Sequence, residues 1–318
     1  MHAAVITAYD TPPAYGEHPE PVASSDNEMV VEVLAAGLHR LTRSKANGTH
    51  YSSTGTFPLV PGADGVVRDP AGRLRYAALD DTTLGTFADR TVIDPRRSVL
   101  LPDDIDPVQI AAAMNPAMSS WVALRRRVEF RKGQRVLILG ATGNAGRMAI
   151  QIAHQFGAGQ VIAAGRDTPR LAALAALGAD ETITLDQADR AADVDVVLDY
   201  VWGEPSARAM TALLTARADR AAPLSWIQIG SVAGATAPIP SAVLRAARLQ
   251  IVGSGIGSVP ARDFLAELPE LAAAVTQGAI TVRARAVPLA DITQTWTAET
   301  DDRIVFVPRP SPGTASAS

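Results

Sequence analysis

The stretch from Gln134 to Arg166 constrains this chain more than any other. Gln134-Arg-Val-Leu-Ile-Leu-Gly140 is a short apolar run of the kind that forms a strand buried on both faces. Gly140-Ala-Thr-Gly143-Asn-Ala-Gly146 follows at once. Met148, Ile152 and Phe156 then recur at helical spacing, and Gly157 closes the helix. Gln160-Val-Ile-Ala-Ala-Gly165 reads as the next strand. Glycines in such a turn let the backbone approach a pyrophosphate, and free N–H groups at the helix start complement its charge. The spacing is GxxGxxG rather than GxGxxG, a pattern that an ordinary strand-to-helix turn also produces. Its context, with a strand before, a helix after and a second strand within about 30 residues, supports nucleotide binding.

Strands and helices continue to alternate beyond this unit. Thr168-Pro169 supplies a cap and a first-turn proline for a helix ending at Gly178. Glu181-Thr-Ile-Thr-Leu, Val194-Asp-Val-Val-Leu-Asp-Tyr, Ser225-Trp-Ile-Gln-Ile-Gly and Leu249-Gln-Ile-Val-Gly-Ser read as further strands. Such alternation predicts an α/β fold with a doubly wound parallel sheet. Before it, residues 1 to about 115 look β-rich. Met29 to Ala36 is one strand, two more flank an Asp69-Pro70-Ala71-Gly72 turn, and Phe87 to Ile93 is another. A helix is expected from Asn115 to Phe130. Beyond Pro260 come a helix, a strand near Ile280 to Val287, a helix from Leu289 and a last strand, Arg303 to Pro308. The return is expected to pack onto the β-rich part, leaving a cleft between two domains.

Composition narrows the function. The 318 residues suffice for two domains with sizeable cores. A net charge of −4 gives no general attraction to nucleic acid or an anionic membrane, and no apolar run reaches the length of a membrane span. The Arg125-Arg-Arg127 run reads as a solvated helix face. Cysteine is absent, which excludes disulfides and thiolate-bound metal and fits a reducing cytoplasm. No signal peptide is visible at the N-terminus, and Ser311 to Ser318 reads as a disordered tail.

Ala35-Ala-Gly-Leu-His-Arg-Leu-Thr, Pro61-Gly-Ala-Asp-Gly-Val-Val, the Gly140 to Ala158 stretch, Leu177-Gly-Ala-Asp180 and the closing Arg303-Ile-Val-Phe-Val-Pro occur in an informative order. In that order and spacing the chain resembles the medium-chain dehydrogenase/reductase superfamily, specifically its zinc-independent, quinone-oxidoreductase-like branch. The resemblance implies a GroES-like catalytic domain, residues 1–116 and 257–318, interrupted by a Rossmann NADP-binding domain, residues 117–256. Zinc members carry a cysteine, a histidine and a second cysteine at the metal. Those positions correspond to His39, to Ala63 (beside Asp64) and to Asn115, so no metal is expected. The quinone-reductase branch usually has Asn at His39 and Asp at Thr42, and these residues line the substrate pocket in relatives.

The candidate catalytic residues are Tyr51, where relatives often present a pocket tyrosine, and His39. The blander readings are a solvated loop around His50 and Tyr51 and a strand-end histidine satisfied by backbone. Asp64 is expected to serve in structural hydrogen bonding. The cofactor set is Asn115 and Met118 at the nicotinamide end, Gly140, Thr142, Gly143, Asn144, Ala145 and Gly146 in the turn, Gly165, Arg166 and Arg170, then Tyr200, Gly230, Ser231, Gly253 and Ser254 after later strands. The second strand ends Ala163-Ala-Gly165-Arg166 without the carboxylate that holds a ribose 2′-OH, so NADPH is expected over NADH. Without a metal to polarise an alcohol, the expected reaction is hydride transfer to a quinone or enone. A homodimer through the Leu249–Ser254 edge strand is also expected. The rival reading is an NADP(H)-binding sensor or structural protein without turnover, since the glycine text also resembles the opening of NmrA-like proteins. Those carry it at their N-terminus, and the Tyr-x-x-x-Lys pair of a short-chain dehydrogenase is absent.

Overall fold

Short strands punctuated by glycine and proline build the first third of the chain, as its composition dictates. The computed structural model describes residues 1–308 apart from 51, 52, 54, 80, 81, 256 and 299. Packing divides the chain into two units, Met1–Asn115 with Leu268–Ser318, and Pro116–Glu267.

The first unit opens with β1 (His2–Val5), β2 (Ala14–Glu17), β3 (Met29–Gly37) and the short helix α1 (Arg40–Ala46). There follow β4 (Asp64–Arg68), β5 (Leu74–Ala78), β6 (Arg90–Ile93) and β7 (Ser98–Leu100). The β4–β5 hairpin turns where the sequence places it. Gly72 adopts φ +83°, and Asp69 Oδ1 accepts from the backbone N–H groups of Ala71 and Arg73, both at 3.0 Å.

The helix α2 spans Pro107–Val122 and continues as a wide π turn over Ala123–Arg127. It therefore begins eight residues before the expected Asn115. Asp106 accepts from the Val108 N–H at 2.8 Å and Pro107 pre-sets the first helical φ, a start signal that outweighs the change of character near Asn115.

In the second unit, β8 (Arg135–Leu139), α3 (Asn144–Gln155), β9 (Gln160–Gly165), α4 (Thr168–Ala172), β10 (Glu181–Thr184), β11 (Val196–Asp199), α5 (Gly203–Ala216), β12 (Leu224–Gln228), α6 (Ser241–Ala246) and β13 (Leu249–Gly253) follow one another. Their strands form one parallel sheet in the order β10-β9-β8-β11-β12-β13. Its winding direction reverses between β8 and β11, and ligands of such sheets bind at the carboxyl ends of the strands at that point. Val136–Leu139 and Val161–Ala164 are fully buried, as continuous apolar runs under helices must be. The cap of α4 is Asp167, not Thr168: its side chain accepts from the Arg170 N–H at 3.1 Å.

The Arg125–Arg127 run is not a solvated face. Arg125 and Arg126 reach the buried Glu267 at 3.0 and 2.5 Å, and Arg127 donates to the carbonyls of Gly253 and Ser258. A buried carboxylate needs such partners, and Trp121 Nε1 adds a third donor at 2.9 Å.

After α7 (Ala261–Thr276) the chain completes the first unit with β14 (Ala284–Pro288), α8 (Ile292–Thr295) and β15 (Arg303–Val307). Its large sheet runs β14-β15-β3-β4-β5-β7, with β6 also pairing β3. Phe87 and Phe306 meet edge-on at 5.1 Å within its core, and Trp296 packs against Phe87.

Candidate functional site

Parallel strands place the residues that follow them on one edge of the sheet. In the second unit this single fact gathers Gly140–Gly146 after β8, Gly165 and Arg166 at β9, Tyr200 after β11, Gly230 and Ser231 after β12, and Gly253 and Ser254 at β13.

The three glycines of the turn have different reasons for being glycine. Gly140 adopts φ +84°, which disfavours a side chain. A Cβ on Gly146 would lie 2.4 Å from the Gly140 carbonyl oxygen, so the third glycine allows α3 to pack on the turn. Gly143 has an ordinary φ of −76°, and its Cβ would meet only the Gly140 oxygen, at 3.5 Å. No internal packing demands glycine there. Its missing side chain leaves space over the start of α3, where no side chain caps the helix and the first turn carries no acidic residue. Asn144 and Ala145, both half-buried, begin that turn. An uncapped helix start beneath an open glycine fits a phosphate.

Beside it, Arg166 is exposed and makes no ion pair or hydrogen bond with a described residue. Asp167, the carboxylate that could repel a 2′-phosphate, is turned into the α4 cap, where it also faces Arg170 Nε at 3.8 Å. Thr142 abuts Gly165: a Cβ on Gly165 would lie 3.1 Å from the Thr142 methyl.

Across the switch point, Asp199 is fully buried, and burial raises its pKa while four donors oppose the shift. They are the backbone N–H groups of Val201 and Trp202, Ser206 Oγ and Trp226 Nε1. Burial pushes the Tyr200 phenol up to about 12; its oxygen lies 3.1 Å from Ser119 Oγ. Gly230 lets its loop approach closely, since a Cβ would lie 2.7 Å from the Tyr200 carbonyl oxygen. Met118 and Ser254 are buried, whereas Ser231 and Gly253 are exposed.

In the first unit, a second constellation forms around Asp64 at the start of β4. His39 Nε2 sits 3.1 and 3.2 Å from its two oxygens, Tyr76 donates to Oδ2 at 2.8 Å, and Asn115 Nδ2 donates to Oδ1 at 3.0 Å. On the other side of the imidazole, Arg303 Nη2 donates to Nδ1. The sheet register dictates that pairing. β15 and β3 are antiparallel with Val305 opposite Gly37, so continuing the register two residues sets Arg303 opposite His39. Gly37 makes room: a Cβ there would lie 2.5 Å from the His39 ring and 2.5 Å from the Ala111 carbonyl oxygen.

His39 is thus not satisfied by backbone. It donates from Nε2 to a carboxylate and accepts at Nδ1 from a guanidinium, which fixes the neutral tautomer. Burial depresses its pKa, Asp64 opposes the shift and Arg303 adds to it. Burial also lowers the Arg303 pKa to about 10 and raises that of Tyr76 well above its usual value.

The sequence-derived set is brought together in part. His39, Asp64 and Asn115 converge, while Thr42 is buried with its hydroxyl unpartnered, and Tyr51 lies outside the described residues. Tyr76 and Arg303 were missed. A cation opening an otherwise apolar final strand was the available signal for Arg303; Tyr76 left none beyond its place in β5. Asn115 is only half-buried and makes no other side-chain hydrogen bond with a described residue, so its second amide hydrogen is open. Among the described residues, no group of three or more His, Asp or Glu converges as a metal site would require.

No family model matches the chain. It is 27% identical to the probable NADPH-dependent quinone reductase tdiC of Emericella nidulans, over 97% of this chain and 100% of that protein. With the chloroplastic NADPH-dependent alkenal/one oxidoreductase of Arabidopsis thaliana it shares 29% identity over 50% of this chain and 45% of that one. Among solved structures, the quinone oxidoreductase of Thermus thermophilus, solved also in complex with NADPH, superposes with a TM-score of 0.81. That match has 25% identity and covers 96% of this chain and 100% of that chain. The fold is a GroES-like β-rich part interrupted by a Rossmann part.

Proposed function

We propose that this chain, a quinone-oxidoreductase-like member of the medium-chain dehydrogenase/reductase superfamily, is a metal-free, NADPH-dependent reductase of quinones or α,β-unsaturated carbonyls. In this reading residues 1–116 and 257–318 hold the acceptor and residues 117–256 hold NADPH. The observation that carries it is the open cradle at Gly143 over an uncapped helix, with Arg166, which pairs with no described residue, beside it.

The residues present fit the cofactor. Backbone N–H groups of Asn144, Ala145 and Gly146 would take the pyrophosphate, and Thr142 and Gly165 would line the adenosine side. Arg166 would pair with the 2′-phosphate, with Arg170 as a helper. Tyr200, Gly230, Ser231, Gly253, Ser254 and Met118 would border the nicotinamide half. When bound, NADPH supplies the hydride. Arg166→Ala is expected to weaken NADPH binding about 10- to 100-fold, the worth of a charge-assisted hydrogen bond of ~1.5–3 kcal/mol, and to leave NADH almost unchanged. Parallel titrations with the two cofactors measure this, and equal losses would remove Arg166 from the site.

On the acceptor, hydride addition builds negative charge on oxygen, and the chain must offer that oxygen a hydrogen bond. Asn115 and Tyr51 are the proposed donors. His39 has both nitrogens engaged, so its proposed part is to hold Asp64, which in turn holds the Asn115 amide. A divalent metal would have to displace Asp64 from His39 and sit near the Arg303 cation, which opposes its binding. The decisive assay compares NADPH oxidation by a panel of quinones and enones with oxidation of simple alcohols. Reduction should dominate and be insensitive to chelators. Faster alcohol oxidation, or a chelator that stops turnover, would defeat the reading.

A homodimer belongs to the same proposal. β13 is the last strand of the parallel sheet, and its side chains from Leu249 to Gly253 are half-buried or exposed. An edge of that kind invites pairing with another copy. Light scattering at micromolar concentration should give twice the chain mass, 33.3 kDa; a monomer mass would count against it.

A further inference from the structure

Trp202 holds a backbone conformation that tryptophan avoids. Its φ is +53° and its ψ −164°, in the region occupied almost only by glycine. Two contacts impose it. The buried Asp199 accepts from the Trp202 N–H at 2.9 Å and from the Val201 N–H at 2.8 Å. Behind it, Gly203 is pressed against the loop after β12: a Cβ there would lie 2.9 Å from the Ala233 carbonyl.

The other three tryptophans are accounted for by packing. Trp121 and Trp226 are fully buried and donate to Glu267 and Asp199, and Trp296 packs on Phe87. The Trp202 indole is half-exposed and makes no hydrogen bond or ring contact with a described residue. Its location is defined by the sheet. Val201 lies against the first turn glycine, since a Cβ on Gly140 would come within 3.2 Å of Val201 Cγ2. Trp202 therefore stands at the switch point, on the β11–β12 side, opposite the β9 side that carries Arg166. A dinucleotide with its adenosine end at Arg166 and its pyrophosphate at Gly143 extends its other half toward Trp202.

We infer that Trp202 is a cofactor-contacting residue whose indole packs on the nicotinamide half of NADPH. The inference rests on the NADPH reading above. The strained backbone then has a purpose: it sets the direction in which the side chain leaves the main chain before the cofactor arrives, which reduces the ordering left to binding.

The test uses the full chain, Trp202→Phe and Trp202→Gly. Dihydronicotinamide absorbs where tryptophan emits, so NADPH titration reports distance by energy transfer. The wild type should show transfer that Trp202→Phe measurably reduces, with Trp226, held on the same Asp199 carboxylate, supplying the remainder. Trp202→Gly should weaken NADPH roughly two- to tenfold, as an aromatic contact predicts. Both variants should bind the adenosine half alone, 2′-phospho-AMP, as the wild type does. Trp202→Gly should also resist denaturant at least as well, because glycine accepts the conformation. Should that variant not fold, Trp202→Phe carries the test through the transfer signal. NADPH affinity and transfer unchanged in the variants would overturn this inference and leave the cofactor reading standing. A wild type that does not bind NADPH would remove both.

Discussion

Arg303→Met is expected to destabilise the first unit by about 3–5 kcal/mol, the cost of removing one partner from a buried ionic cluster. The guanidinium is 8% exposed and donates to His39 Nδ1. Without it, that nitrogen has no donor, and the Asp64 carboxylate, 1% exposed, loses its nearby cation. Arg303→Lys keeps the charge but not the planar fork and should fall between the two. Adding Asp64→Asn to Arg303→Met should recover part of the loss, because the remaining groups are then neutral. Denaturation followed through Trp296, the single tryptophan of the first unit, measures each variant. A change under about 1 kcal/mol for Arg303→Met would show that the cluster is not held by its cation.

The same cluster sets an acid limit. His39 is held neutral in the fold, with its pKa depressed by burial and by Arg303 against the opposing Asp64, and with the neutral Tyr76 hydroxyl on the same carboxylate. The unfolded chain takes up a proton near pH ~6.5. Below that pH the unfolded state binds more protons than the folded one, so this contribution to stability is fully present above about 6.5 and declines as pH falls. Denaturation midpoints between about pH 8 and pH 5 should therefore drop, and His39→Gln should flatten the drop.

What the residues alone disclosed follows a physical line. The parallel sheet was legible because Val136–Leu139 and Val161–Ala164 are apolar without interruption, and the glycine turn because backbone geometry restricts its residue types. The position of Arg166 just past β9 was legible because the end of that strand is fixed by its apolar run. The acid cluster was not. Its members lie at positions 39, 64, 76, 115 and 303, and only the register of β15 against β3 sets Arg303 opposite His39. The start of α2 is set by Asp106-Pro107, a local cap that outweighs the change in character near Asn115. Trp202 left no mark, since nothing in its neighbours announces a positive φ. Its conformation is a consequence of Asp199 and of the loop after β12, which meet only in the folded sheet.

Loss of the donor to the acceptor oxygen should be the largest effect on turnover. A carboxylate can only accept, so the Asn115 amide turns its nitrogen, not its oxygen, to Asp64. One amide hydrogen is thereby spent, and the second makes no hydrogen bond with a described residue. His39 and Tyr76 fix the carboxylate in turn, so the open N–H costs little to organise when charge develops on the acceptor. Asn115→Ala should lower kcat by about 10²–10³, or ~2.7–4 kcal/mol, with the KM for NADPH nearly unchanged. Asn115→Asp should be at least as slow, because it sets a second carboxylate against Asp64 and offers the acceptor no donor. Tyr51→Phe, assayed beside them, apportions the work: a loss confined to Tyr51→Phe would move the donor role from Asn115 to the tyrosine. If both variants turn over like the wild type with a quinone and with an enone, neither residue donates to the acceptor.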